Sequence, residues 1–234
     1  MRILVVLHRK KRQTNTAPSR LGRLYHGLLK AGAVIEERSV YDLPSEPRCY
    51  DLIFIMGARA SLSSASSESW MRAEYKFIEY ILRHTIPCVG ICFGAQHIAK
   101  VLGSTITRLP NVEIGVQSVK IAASNPTPLK KDFVAMKFHN DAFLLPPGST
   151  AFAYSHLGFV DGYSYNNHIL AFQAHPEMTV ALFTEYWSKC IAHNVHADLR
   201  YKVMQDIYRY EAALNQSALD CLDSIFALCP AYSA

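Results

Sequence analysis

The stretch Pro87-Cys88-Val89-Gly90-Ile91-Cys92-Phe93-Gly94-Ala95-Gln96 decides the fold. A short apolar run meets a helix-forming run, and one cysteine sits at the bend between two glycines. A turn this sharp crowds the backbone on both sides of residue 92, and glycine at 90 and 94 removes the Cβ atoms that would clash there. The bend lifts the Cys92 thiol to the end of a sheet and aims the first amides of the next helix at whatever the thiol attacks. Downstream, Phe172-Gln173-Ala174-His175-Pro176-Glu177 offers an imidazole to activate the thiol and a carboxylate to orient the imidazole. Pro176 fixes φ between them, so Glu177 can reach back.

Outward from the bend, strands alternate with helices. Apolar runs at Ile3–Leu7, Leu52–Met56 and Cys88–Ile91 suit buried parallel strands, and Val34–Ser39 adds a weaker one. Helices are expected from Ser19, as N-cap, to Ala31, from Trp70 to His84, and from Gly94 to Leu102. This spacing predicts a doubly wound, mostly parallel α/β sheet. From Ser104 onward, β-prone runs recur at Ser104–Arg108, Gly115–Ile121, Val134–Phe138, Ala151–Ser155, Phe159–Tyr165 and Ile169–Gln173, an added and antiparallel β-rich segment. Val180–His193 reads as a helix packing back on the core. Beyond it, Leu199, Val203, Met204, Ile207 and Tyr210 keep helical spacing, as do Leu219, Leu222, Ile225 and Phe226. The expected organisation is one domain over 1–195 and a C-terminal helical extension over 196–234 packed on it.

Composition narrows the function classes. Half of the 234 residues are hydrophobic, enough for a sizeable core, and a net charge of +5 does not point to nucleic acid. The cluster His8-Arg9-Lys10-Lys11-Arg12 reads as a solvated loop. The six cysteines show no C-x-x-C pair, which argues against a disulfide framework or zinc site and for a reducing compartment. Ile3–Leu7 is too short for a signal-peptide core or a membrane span, so a soluble cytoplasmic protein without membrane partners is expected.

Gly90, Cys92, Gly94 and Gln96, with the later His175-Pro176-Glu177, resemble the class I glutamine amidotransferase family, whose marks are a G-x-C-x-G-x-Q elbow and a later H-P-E. The resemblance covers residues 1–195. It implies a Cys92–His175–Glu177 triad, a glutamine or γ-glutamyl small molecule as substrate, a γ-glutamyl thioester on Cys92, and chemistry requiring no metal or organic cofactor. The oxyanion donors it implies are the amide of Phe93 and one from the loop after Leu52–Met56. That loop reads Gly57-Ala58-Arg59 where the family has Gly-Gly-Pro; a left-handed backbone at Ala58 would cost about 1 kcal/mol or more. Phe138-His139-Asn140-Asp141 resembles the family's S-H-G-D-type segment. It implies that Phe138, His139 and Asn140 hold the amino-acid end of the substrate, with Asn140 taking a glycine's left-handed place. Gln96 is expected to hydrogen-bond the substrate, and Ser61–Ser69 to be a loop without chemistry of its own. Cys88 and Cys49 are expected to be buried and inert.

What becomes of the released amine stays open at this point. The chain has no room for a synthetase domain, so a separate synthetase subunit or independent action as a γ-glutamyl peptide hydrolase both fit. Two other classes compete. A non-catalytic binding protein on the same fold would explain Ala58, Arg59 and Asn140. A dienelactone-type hydrolase would place its acid before the histidine, not two residues after it.

Overall fold

The computed structural model describes residues 1–9, 19–63, 68–190 and 197–229. Nine strands form one mixed sheet in the order β2-β1-β3-β4-β9-β8-β7-β5-β6. The parallel half joins β1 (Arg2–Leu7), β2 (Val34–Ser39), β3 (Leu52–Ile55), β4 (Cys88–Ile91) and β9 (Ile169–Phe172). The antiparallel half adds β8 (Val160–Tyr165), β7 (Thr150–Ser155), β5 (Ile106–Ile121) and β6 (Phe133–Phe143).

Strand periodicity divides the core. In β1, Ile3, Val5 and Leu7 face one side with Leu24 and Leu28 of α1 (Gly22–Lys30), and with Leu222 and Ile225 of α6 (Glu211–Phe226). Leu4 and Val6 face the other, with Trp70, Phe77 and Ile81 of α2 (Ser69–Arg83) and Ile98 of α3 (Phe93–Val101). Burial on both faces is why these strands read as continuous apolar runs. A third cluster packs α4 (Val180–Cys190) and α5 (Ala197–Arg209) over β6, with Met136, Phe183, Trp187, Val203 and Ile207 at its centre.

Several expectations change. The runs expected over Ser104–Arg108 and Gly115–Ile121 join in one strand, β5, which starts only at Ile106, because the register shift between Arg108 and Glu113 absorbs Pro110 as a bulge. The run expected over Val134–Phe138 is longer: β6 spans Phe133–Phe143 in pairing with β5. Ser19 does not cap α1, whose N-cap is Leu21 without a side-chain hydrogen bond; the Ser19 hydroxyl accepts from the Leu21 amide at 3.2 Å instead. Tyr210 and Leu219 are exposed, and the buried face of α6 runs through Leu214, Ala218, Cys221, Leu222 and Ile225. Cys49 is exposed, while Cys88 is buried and its thiol pushed up by burial. His8 is not solvated: it sits between Trp70 and Phe93 with its side chain 4% exposed, and Lys10, Lys11 and Arg12 lie outside the described residues. The end of the helix expected to reach His193, and residues 64–67 of the serine-rich stretch, also lie outside them. Among the described residues, no helix is long and apolar enough to cross a membrane.

Candidate active site

The C-terminal ends of β3, β4 and β9 converge on one cleft, the place where open α/β sheets bind ligands. Cys92 follows β4 with φ 53 and ψ −109, outside the ordinary regions for a side-chain-bearing residue. The surroundings enforce it. Its amide donates to the Phe172 carbonyl at 2.7 Å. At Gly94 a Cβ would stand 2.0 Å from the Ile55 carbonyl oxygen, so the elbow fits against β3 only with glycine there.

Pairing of β4 with β9 matches Ile91 to Phe172, which brings the residues after β9 beside Cys92. The Gln173 side-chain amide lies 3.8 Å from Cys92 Sγ. His175 is pinned by its own amide, which donates to Met136 O at 2.8 Å, bridging it to β6. His175 Nδ1 meets Glu177 Oε1 at 2.7 Å, and Nε2 is buried with no hydrogen-bond partner among the described residues. Burial works against an imidazolium here, but the charges of Glu177 and Cys92 outweigh it and hold His175 well above its usual value. Gly57 closes the site from the β3 side: a Cβ there would lie 3.2 Å from His175 Cε1. The structure thus brings Cys92, His175 and Glu177, the three residues expected to act together, into one place.

The cleft is a cavity of about 500 Å³. Gly57, Ala58 and Phe93 line it beside Cys92, and the amides of Ala58 and Phe93 have no acceptor among the described residues. Neither Ala58 nor Asn140 has a positive φ, so the strain expected at Ala58 does not arise and Asn140 takes no left-handed turn. Phe138, His139 and Asn140 all line the cavity from β6. The Phe138 carbonyl lies 3.8 Å from Cys92 Sγ. His139 is buried, with Nδ1 3.0 Å from Asp141 O and Nε2 3.1 Å from Glu113 Oε2, while Asn140 is exposed. Gln96 also lines the cavity, but its amide nitrogen donates to Asp141 O at 2.9 Å and Gln173 Oε1 at 3.1 Å. Its donors therefore tie α3 to β6 and β9, leaving only its oxygen for a ligand.

Sequence reasoning missed several lining residues. Asp141 accepts from Ser61 at 2.6 Å, Ser63 at 2.9 Å and Arg108 at 3.3 Å; burial would raise its carboxyl, but these bonds outweigh it. The serine stretch is therefore attached to the site, not free of it. Tyr186 of α4 also lines the cavity, its phenol pushed up to about 12 by burial and by the charges of Glu177 and Cys92. No local pattern marks Tyr186; Ser61 begins the marked serine-rich stretch, but its bond to Asp141 is not legible there, whereas Asp141 ends the 138–141 segment that its sequence does mark. Among the described residues, no group of three or more His, Cys, Asp or Glu is placed to hold a metal.

Fold and site together define an α/β protein with a cysteine at a strand–helix elbow facing a His–Glu pair. The family description "Glutamine amidotransferase class-I" matches residues 23–193, and the chain belongs to that family. It is 31% identical over 106 residues to gamma-glutamyl peptidase 5 of Arabidopsis thaliana, a match spanning 42% of each protein. It is 28% identical over 165 residues to a glutamine-hydrolyzing GMP synthase subunit of Sulfurisphaera tokodaii, covering 67% of this chain and 85% of that one. The crystal structure of a glutamine amidotransferase from Thermotoga maritima superposes with a TM-score of 0.77 at 21% identity, over 96% of this chain and 97% of that one, a likeness of fold.

Proposed function

We propose that the protein hydrolyses the γ-amide of glutamine through a γ-glutamyl thioester on Cys92. The observation that carries this reading is the alignment of Glu177, His175 and Cys92 beside two amides with no acceptor among the described residues. The Cys92 thiolate attacks the γ-carbonyl carbon, forming a C–S bond and an oxyanion. The Ala58 and Phe93 amides receive that charge. Collapse of the intermediate breaks the C–N bond, and the His175 imidazolium gives its proton to the departing ammonia. His175, now neutral, takes a proton from water as it attacks the thioester. The C–S bond breaks, releasing glutamate and restoring the Cys92–His175 pair. Glu177 holds the imidazole with Nε2 turned toward the thiol. Gln96 and the 138–140 segment hold the amino-acid end of the substrate. A separate synthetase subunit, as the likeness to the GMP synthase subunit suggests, would receive the ammonia. A cytoplasmic setting fits the free cysteines.

A second reading, hydrolysis of γ-glutamyl peptides, is favoured by one observation. Arg59 and Arg108 both line the cavity beyond the thiol, and exposed Arg59 makes no ion pair among the described residues. A peptide leaving group carries a carboxylate that such a cation pairs with; ammonia does not. Assay of purified protein with glutamine, glutathione and a γ-glutamyl dipeptide separates the two. Ammonia from glutamine supports the first and amino acid or dipeptide release the second. No turnover of any of them, alone or with a GMP-synthase-type synthetase, contradicts both.

A further inference from the structure

We infer that His8 is a positioning residue: held by Glu74, it fixes the Gly57–Ala58 peptide so that the Ala58 amide faces the site as an oxyanion donor. The inference rests on the Cys92 reading above and adds to it the device that sets one half of the oxyanion hole.

His8 follows β1, and its ring bridges two elements far apart in sequence. Nε2 lies 2.8 Å from Glu74 Oε1 on α2, and Nδ1 lies 3.3 Å from the Gly57 carbonyl oxygen after β3. A carboxylate and a carbonyl are both acceptors, so each ring nitrogen faces a group to which an N–H donates. Glu74 is ionised: burial alone would raise its carboxyl, yet His8 and His97 bring it down to about 2. Its second oxygen takes a 2.7 Å hydrogen bond from His97 Nδ1 on α3. Glu74 is 0% exposed and His97 2%, with Trp70 and Phe93 rings packed around His8 at 5.0 and 5.1 Å. A charged cluster in such apolar surroundings is costly unless every polar atom is matched; here it is matched on the Gly57 carbonyl.

The consequence follows from peptide geometry. The Gly57 carbonyl and the Ala58 N–H belong to one planar trans peptide and point in opposite directions. His8 does not line the cavity, whereas Gly57, Ala58 and Cys92 do. By holding the carbonyl on its own side, His8 turns the amide toward the thiol. The restraint matters because the residues after Gly57 are Ala58 and Arg59, neither of which fixes φ as a proline does. The donated proton also draws electron density from the peptide and makes the Ala58 N–H a better donor to an oxyanion.

The test compares His8→Gln and Glu74→Gln with the unaltered protein, on whichever γ-glutamyl substrate that protein turns over. Removing one oxyanion donor costs about 10²–10³ in kcat in other enzymes, so misaligning one is expected to lower kcat by about 10–100-fold with KM changed less than about threefold. Alkylation of Cys92 by iodoacetamide passes through no oxyanion and is expected to keep its rate. Glu74→Gln, which preserves shape, is expected to lower kcat in the same direction, and the double variant to fall no further than His8→Gln alone. An unchanged kcat in both single variants overturns the inference. So does a fall in alkylation rate parallel to kcat, which would show that the thiol–imidazole pair, not the oxyanion hole, had been disturbed. Failure of the parent reading looks different: the unaltered protein itself would show no turnover that depends on Cys92.

Discussion

At Cys92 the backbone is strained, the thiol is nearly buried, and the imidazole opposite is raised by the carboxylate behind it. This sets the sign of the pH response. His175 stays protonated above its ordinary 6.5, so proton donation to the leaving amine persists above that pH and fades as the pH passes its folded-state value. Glu177→Gln removes the largest raising influence. The alkaline limb of kcat is expected to move to lower pH and turnover to fall, with little change in glutamine binding; an unmoved limb would separate Glu177 from His175. The γ-glutamyl peptide reading assigns the choice of substrate to Arg59, which lines the cavity. Arg59→Ala is expected to weaken γ-glutamyl peptide turnover by about 1.5–3 kcal/mol, the range for a charged hydrogen bond, and glutamine turnover much less. Equal losses in kcat/KM on both substrates, or none on either, would deny Arg59 a selective role. That Cys92, His175 and Glu177 come together is legible in the sequence because glycines and a proline bracket them within a few residues. His8, Ser61 and Tyr186 are not, because their meaning lies in partners that only the fold brings near.

Among the elements, α6 reaches the site through Arg23 at the start of α1. Arg23, its side chain 4% exposed, donates to the Met178 carbonyl at 2.7 Å, pairs with Glu211 at 2.8 Å and bonds Asn215; its amide also holds the Glu177 carbonyl at 2.9 Å. The loop carrying His175 and Glu177 is thereby fastened to a helix some thirty residues further on. Arg23→Met leaves the Met178 carbonyl unmatched and is expected to cost about 2–4 kcal/mol in urea unfolding. The hydrogen bond from Arg23 lowers the Glu211 carboxyl below its usual 4.5, so this bridge stabilises the fold above that value and is lost as pH falls through the folded-state pKa. An unfolding midpoint unaffected by Arg23→Met would show the clamp to be incidental. Helical spacing reveals α5 and α6, but not which side of each is covered, because exposed Tyr210 and Leu219 fit the apolar stripe as well as buried Val203 and Leu222 do. Strand β5 reads as two in the sequence because Pro110 is ordinarily a turn residue; a bulge between Arg108 and Glu113 keeps one strand continuous through it.

For the molecule as a whole, the order of the sheet explains the site. Strand β9 comes late in the chain yet pairs with β4, so His175 and Glu177 stand beside Cys92. The alternation of strands and helices makes the doubly wound half legible; the antiparallel half is legible as β-rich, but its order is not, since pairing between distant strands leaves no local mark. The central claim is that Cys92 forms a covalent γ-glutamyl intermediate activated by His175. It is tested most directly by treating the protein with a glutamine-mimicking electrophile and locating the adduct by peptide mass spectrometry. The account predicts one adduct, on Cys92, with labelling rate and loss of activity in step, and both strongly slowed in His175→Asn. An adduct confined to another cysteine, or full activity in a protein fully labelled at Cys92, would contradict it.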